Sequence, residues 1–574
     1  MATETNPDRI SNLPEDILHR IVSRLPVKEA VSTSLLSTKW RHRWKFIDAM
    51  DFDEEKDFRI SNGRFRSFIN RTLDLHHSCV NLEKFRVCMK PDPRIRYIIV
   101  YRQLVPAFSQ LVQDDIIRWI NSAVERKVHD FDLTCCIGYD SNNSYRAINL
   151  LYSLPSSLFG ARSITSLRLS RVKVGELNGD VSLDSLKTMS LKDVCVSTQT
   201  MGRVVSGSLV LEILYLEDCK LLSALEGRHI GLRSIHIEFC QDLVKFDMDV
   251  PNLQTFECII STTLKFEIQG AKSLGSVQNL LLGEPLFRES FFGWMFRPAS
   301  FRVSRLLKTL NLTGFTITEE TLQFMISSCH LLEDLIMVRC ATPRYIYLFS
   351  KSLKSLGLND CQNLEGIEID ATNLVFFNYS GGMVNVSRMN SSCKVEAQIK
   401  LKDTSLTRCA KQWSHKLREL LAMFNHAKIL KLQVSEHPDM ILLGGELGYV
   451  IPPLYHLKHF EFQVVWYATG SYTDLLVRLL SLSAHLEILV ISLGTFNIIL
   501  KFKPEEPVEL EDVLSQDWTY LPLDYLRRRL KEVEVRKIEA KDTRAVELVK
   551  FILGDAMDSE TISPSSCFCW KALT

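Results

Sequence analysis

Residues 211–260 read LEILYLEDCKLLSALEGRHIGLRSIHIEFCQDLVKFDMDVPNLQTFECII, and one pattern recurs within them. Leu211-x-x-Leu214-x-Leu216, Leu232-x-x-Ile235-x-Ile237 and Leu253-x-x-Phe256-x-Cys258 start at 211, 232 and 253, in steps of 21 residues. Alternate side chains of a strand point to opposite faces, so positions four and six of each copy turn inward together. A single copy cannot bury that face alone, and stacked copies can. Outward along the chain, Leu332-x-x-Leu335-x-Met337, Leu353-x-x-Leu356-x-Leu358 and Leu374-x-x-Phe377-x-Tyr379 repeat the same step. Wider spacings join copies starting at Leu82, Val128, Ile164, Leu186, Val277, Leu307, Ala427, Leu457 and Leu486.

Counting the first Leu as position one, position nine is Cys136, Cys219, Cys240, Cys340 or Cys361 in five copies, so the cysteine spacing follows the repeat rather than a metal site. The pattern resembles the leucine-rich repeat in its cysteine form. The resemblance implies an irregular α/β solenoid over 64–497, with parallel strands on the concave side and helices on the convex side. Apolar residues at three and four spacing predict those helices at Ile116–Val128, Thr318–Ser328, Lys416–Phe424 and Thr473–Ser483. Positions three, five and seven of each strand face outward. Among them Arg168, Tyr215, Glu217, His236, Glu238, Asn311, Asn359, Asn378 and Glu461 are the candidate substrate-facing residues, on a mixed polar and aromatic surface that suits a protein partner.

Residues 8–47 read DRISNLPEDILHRIVSRLPVKEAVSTSLLSTKWRHRWKFI. Ile17, Leu18, Ile21 and Leu25 fall at helical spacing, and Pro26 stops that helix. Leu36, Trp40 and Trp44 predict a stripe on a further helix, with the rings in a core rather than stacked on nucleic acid despite Lys39, Arg41, Arg43 and Lys45. A packet of about 40 residues buries too little to stand alone comfortably. Leu13-Pro14, the Ile17/Leu18/Ile21 face, Leu25-Pro26, Ala30-Val31 and Leu36-Ser37-x-x-Trp40-Arg41-x-x-Trp44 resemble the F-box in its plant form, here taken as residues 8–50. That resemblance implies docking onto the Skp adaptor, and through it cullin, by Leu13, Pro14, Ile17, Leu18, Ile21, Leu25 and Pro26.

After Asn497, Lys503-Pro-Glu-Glu-Pro507 with Glu509, Glu511 and Asp512 reads as an acidic connector and a domain boundary. Beyond it come a strand at Leu530/Val533/Val535 and a helix whose Ala545, Leu548, Val549 and Ile552 share one face. This piece, 515–562, is similar to the α+β FBD domain of plant F-box proteins. That family continues into a last apolar strand, of which Ile562 is the remnant here, so 563–574 is expected to be a loose tail. Cys567 and Cys569 lack the partners of a metal site.

Lys plus Arg is 69 and Asp plus Glu is 68, a formal charge of +1, which argues against a nucleic-acid partner met by bulk electrostatics. Met1–Pro7 is polar where a signal peptide would be apolar, and the stretch Tyr97–Phe108 is broken by Arg102, Gln103 and Pro106. An intracellular chain is expected, in nucleus or cytoplasm, away from membranes, with the sequons at Asn70, Asn142 and Asn311 idle. No GxxxxGK, GxGxxG, GxSxG or HExxH occurs; His456 and His459 fall on opposite strand faces, and Gly444–Gly448 reads as a loop. The expectation is a non-catalytic, cofactor-free substrate receptor of an SCF-type ubiquitin ligase. The alternative is a leucine-rich-repeat scaffold with a vestigial F-box.

Overall fold

The computed structural model describes residues 10, 13–57, 64–77, 81–89, 105–135, 151–260, 267–268, 275–283, 294–295, 305–391, 395–402, 416–417, 419–434, 454, 457–464, 471–480, 485–494, 496–503, 529–536, 543–553 and 568–571. Cys136, His456, Gly444–Gly448, the connector beyond Lys503, Ile562 and Cys567 lie outside them. The chain divides into two compact units, Met1–Phe287 with Ala299–Ser304, and Arg288–Pro298 with Arg305–Thr574.

In the first unit Ala49–Asp53, Lys84–Cys88, Asp130–Thr134, Ser166–Ser170, Thr188–Lys192, Ile213–Glu217, Ser234–Glu238, Thr255–Ile259 and Asn279–Gly283 pair in chain order, all parallel and in register. The repeat dictates this. Leu211, Leu214 and Leu216 are buried, as are their counterparts in neighbouring copies, each contributing roughly 1.5–3 kcal/mol of burial. One copy went unread in the sequence: Ile47-x-x-Met50-x-Phe52 is buried throughout and supplies the first strand, across the end of the segment assigned to the N-terminal packet.

In the second unit Thr309–Thr313, Asp334–Val338, Ser355–Asn359, Phe376–Gly381, Glu396–Leu401, Ile429–Val434, His459–Val464 and Ile488–Leu493 form the parallel series. The Glu396–Leu401 copy escaped the sequence pattern because its first position is Lys394 and its fourth is Ala397. Phe496–Phe502, Leu530–Arg536 and Phe568–Lys571 then add antiparallel strands. Two expectations are corrected here. The boundary after Asn497 falls within a strand, because alternation continues through Phe496, Ile498, Leu500 and Phe502, all buried. The tail is not wholly loose: 568–571 pairs with Glu532–Val535, which would otherwise present an open edge.

The second layer also differs from the expected row of helices. Copies separated by 21 residues carry short second strands, Ala224–Arg228 with Lys245–Asp249 and Tyr345–Phe349 with Gly366–Ala371. Copies 25 residues long, Leu186 to Leu211 and Leu307 to Leu332, carry the helices Thr198–Ser206 and Glu319–Ser328. Four extra residues are about one helical turn. Ser197 and Thr318 cap these helices, each accepting a backbone N–H at 3.2 Å. Elsewhere Val105–Glu125 and Tyr472–Leu480 are helical near two of the expected stretches, and 416–417 and 419–422 are helical in a third.

Position nine is explained by its bonds. Each thiol donates to the carbonyl at position six of the preceding copy: Cys219 to Leu191 at 3.6 Å, Cys240 to Leu216 at 3.8 Å, Cys340 to Leu312 at 3.3 Å and Cys361 to Met337 at 3.6 Å. Carbonyls at the strand exits thereby gain donors. Burial pushes the Cys340 thiol up to about 11 and that of Cys361 to about 12, so they stay protonated.

Candidate functional site

The N-terminal packet is built from two short helices, α1 (Glu15–Val22) and α2 (Val27–Ser32), each entered through a proline, Pro14 and Pro26. Leu18 and Val22 of α1 meet a core shared with Val27, Ala30, Trp40 and Trp44. The adjoining side stays open: Leu13 is 36% and Ile17 39% exposed, Ile21 and Leu25 are half-buried, and Pro14 and Pro26 are exposed. Leu18, grouped with the docking residues in the sequence, is 1% exposed and supports that surface from beneath.

The tryptophan stripe does not lie on one helix. Thr33 Oγ1 and Ser34 Oγ donate to the carbonyls of Ala30 and Val31, both at 2.6 Å, and α2 ends there. Short 3-10 turns follow at Thr33–Leu35 and Arg43–Phe46. The rings of Trp40 and Trp44 are core as expected, but Leu36 is 65% and Leu35 88% exposed. Arg43 ties the second turn back to α1 through Glu15 at 3.0 Å.

The nine candidate residues of the repeat all sit at outward strand positions, exposed or half-buried. In the first unit, register places Arg168, Tyr215 and His236 in one row across the sheet, with Glu217 beside Glu238 in the next. Tyr215 donates its hydroxyl to Glu217 at 3.2 Å and Glu238 at 3.5 Å; burial and these two carboxylates push the phenol well above its ordinary value. His236 Nδ1 lies 2.8 Å from Glu257, and Lys192 is 2.8 Å from Glu217. Arg168 pairs with Asp130 at 2.8 Å.

The sequence reading missed the continuation of Arg168's own row through Asp132, Arg86 and Asp51. Arg86 reaches Asp51 at 2.8 Å, Asp53 at 3.2 Å and Asp132 at 3.6 Å, and Lys84 reaches Asp51 at 2.9 Å. Burial pushes the Asp51 carboxyl up, but bonds from Lys84 and Arg86 outweigh it and hold the group below its ordinary value; burial dominates at Asp132 and raises it. The signal was available, since Arg86 and Asp132 are position five of the Leu82 and Val128 copies. With Lys56 3.7 Å from Asp53, the charges of this part of the sheet balance.

In the second unit Asn311, Asn378 and Glu461 share a row that also holds Ile336, Gly357, Gln398 and Lys431. Lys431 lies 3.5 Å from Glu461, and His459 3.0 Å from the same carboxylate. Gly357 is buried although its position faces outward, because Ile336 lies over it, 3.4 Å from where a Cβ would stand. Asn359 occupies the adjoining row with Ser380. Among the described residues no helix is long and apolar enough to cross a membrane.

The chain matches the family model for the F-box domain over residues 10–48, and the model described as At1g61320/AtMIF1, LRR domain over 103–282 and 276–562. F-box/FBD/LRR-repeat protein At1g13780 of Arabidopsis thaliana is 29% identical over 308 residues, 51% of this chain and 61% of that protein. From the same organism, F-box protein At4g09920 is 30% identical over 260 residues, 45% of this chain and 72% of that protein. FBD-associated F-box protein At1g66310, also from Arabidopsis thaliana, is 33% identical over 216 residues, 36% and 41% of the two chains. The chain thus spans less than two thirds of the first and third relatives. Parallel repeats behind a small helical head with an open apolar face define the class of leucine-rich-repeat proteins carrying an F-box. The chain belongs to the plant F-box/FBD/LRR-repeat protein family.

Proposed function

We propose that the chain is the substrate-recognition subunit of an SCF-type cullin-RING ubiquitin ligase. Leu13, Pro14 and Ile17 hold the Skp adaptor, with Ile21, Leu25 and Pro26 at the margin, and the open face of the sheet holds a protein substrate in the nucleus or cytoplasm. The observation that carries the reading is the uncovered apolar side chains of the packet, Leu13 at 36% and Ile17 at 39% exposure, with Leu35 at 88% and Leu36 at 65% after α2. Each such side chain forgoes roughly 1.5–3 kcal/mol until something covers it. The chain makes no covalent bond itself in this role. It raises the effective concentration of a substrate lysine near the charged conjugating enzyme.

Purified chain and purified Skp adaptor test the assignment. Replacing Leu13, Pro14 and Ile17 together with Ala is expected to weaken binding at least thirtyfold, the scale of a hot spot of about 2 kcal/mol or more. Unchanged affinity in a folded variant would remove these residues from the interface. A folded wild-type chain that ignores the adaptor would leave the scaffold alternative.

A further inference from the structure

Within the first unit, the surface over the Ile213–Glu217 and Ser234–Glu238 strands changes character along the strand direction. In the turns leading into these strands stand Leu209, 70% exposed, and Ile230, 62% exposed. They are 21 residues apart and so occupy equivalent places in adjacent copies. Those turns are locked together: the His229 ring lies 2.8 Å from the Ser208 carbonyl and accepts the Leu232 N–H at 3.1 Å. Ile213 continues the apolar end onto the sheet and is itself exposed. The next outward row holds the Tyr215 and His236 rings, centroids 6.0 Å apart. The row after that is acidic, Glu217 beside Glu238.

Only part of that acidity is met from within. Glu217 has Lys192, whereas Glu238 has no cation among the described residues and takes only the Tyr215 hydroxyl. The first strands of this sheet differ, since Asp51, Asp53, Asp130 and Asp132 are matched there by four cations, Lys56, Lys84, Arg86 and Arg168. An apolar start, an aromatic step and an unbalanced acidic end form an ordered surface rather than a general one.

We infer that this surface receives an extended segment of a protein partner that carries a bulky apolar residue followed, about four residues on, by a lysine or arginine. Ile213 and Glu217 are four residues apart, about 13 Å at roughly 3.3 Å per residue, and a segment lying along the strands matches that interval. The apolar residue covers Leu209, Ile230 and Ile213. The stem of the basic residue lies on the two rings, and its cation meets Glu238, whose charge is complementary. The inference deepens the ligase reading, on which its description as a substrate segment rests.

A 12-residue peptide library displayed on phage, selected against the full-length chain, tests it. Enriched peptides are expected to pair Leu, Ile, Met or Phe with Lys or Arg at four-residue spacing. A synthetic winner should bind the Glu217→Gln/Glu238→Gln variant at least tenfold more weakly by fluorescence anisotropy, and the Ile213→Ser/Ile230→Ser variant more weakly too. All four side chains reach solvent, and circular dichroism with adaptor binding checks that both variants fold. No enrichment, winners lacking a basic residue, or equal binding by the Gln variant would overturn the inference. An adaptor-binding chain with any of those results leaves the ligase reading standing without it; peptides behaving as expected on a chain that ignores the adaptor would preserve the surface and remove the ligase reading.

Discussion

At the scale of single residues, His76 sits in an environment that its place in the sequence does not announce. Its Nε2 lies 2.8 Å from the Ile47 carbonyl, while Nδ1 is buried without a partner among the described residues. Burial, with the charge of Arg126 and His77 beside it, pulls the imidazole down to about 4 from 6.5. The unfolded chain therefore takes up this proton first, and stability falls as pH drops from 6.5 toward 4, by on the order of 3 kcal/mol at about 1.4 kcal/mol per pH unit. Asp51 acts lower, its stabilisation complete above 3.8 and lost as pH falls through its depressed folded value. Melting temperatures at pH 7 and 4.5 should diverge markedly in the wild type and less in His76→Gln, which keeps a donor for Ile47; equal slopes would refute the assignment. None of this was legible beforehand, because a histidine's titration depends on what long-range packing places around it. The cysteines were legible in spacing, though the carbonyls they serve belong to other copies.

At the scale of elements, Gly207 shows how a connection sets a helix end. It follows Thr198–Ser206 with an ordinary negative φ, so its need is space rather than backbone freedom. A Cβ there would stand 2.6 Å from Val181 Cγ1 and 2.7 Å from the Val181 carbonyl oxygen. Gly207→Ala is expected to cost about 1–3 kcal/mol in denaturant unfolding of the full chain, as overpacking does; a change below about 0.5 kcal/mol would show that the loop yields freely. Strand positions were readable because Leu, Ile and Phe recur at fixed offsets. The second layer was harder. Phe246-x-Met248, Ile346-x-Leu348 and Ile367-x-Ile369 alternate with period two, yet such short runs carry little weight beside a strong main repeat. The Lys394 copy was hidden because Ala397 and Ile399 suffice when neighbouring copies provide the remaining apolar area.

At the scale of the whole chain, each sheet must end somewhere, and an exposed parallel edge invites pairing with another molecule. The second unit finishes in antiparallel strands, the last of them Phe568–Lys571. Deleting residues 564–574 should uncover Leu530–Arg536 and produce concentration-dependent self-association in size-exclusion chromatography with light scattering. A truncated chain as monodisperse as the full one would show that this edge needs no cover. The repeat and the N-terminal packet announced the overall plan, but this closing strand did not announce itself: four residues after a long polar stretch resemble a terminus, and their pairing partner lies more than thirty residues earlier.

The short route from the N-terminal packet into the sheet bears on how a partner would be offered to chemistry. Between the turn Arg43–Phe46 and the strand Ala49–Asp53 lie only Ile47 and Asp48. Ile47 is buried, its carbonyl is engaged by His76, and Phe46 stacks on His77 at 5.2 Å. The junction is short and packed on both sides. On the proposed reading, a handle joined so closely to the sheet aims as well as carries: a ligase grasping the packet would meet a segment lying on the first unit's strands at a restricted bearing. Which lysine is modified would then be decided by its distance along the substrate from the bound segment, as on a jig, and a few flexible residues inserted at Asp48 would blur that choice without loosening either grip.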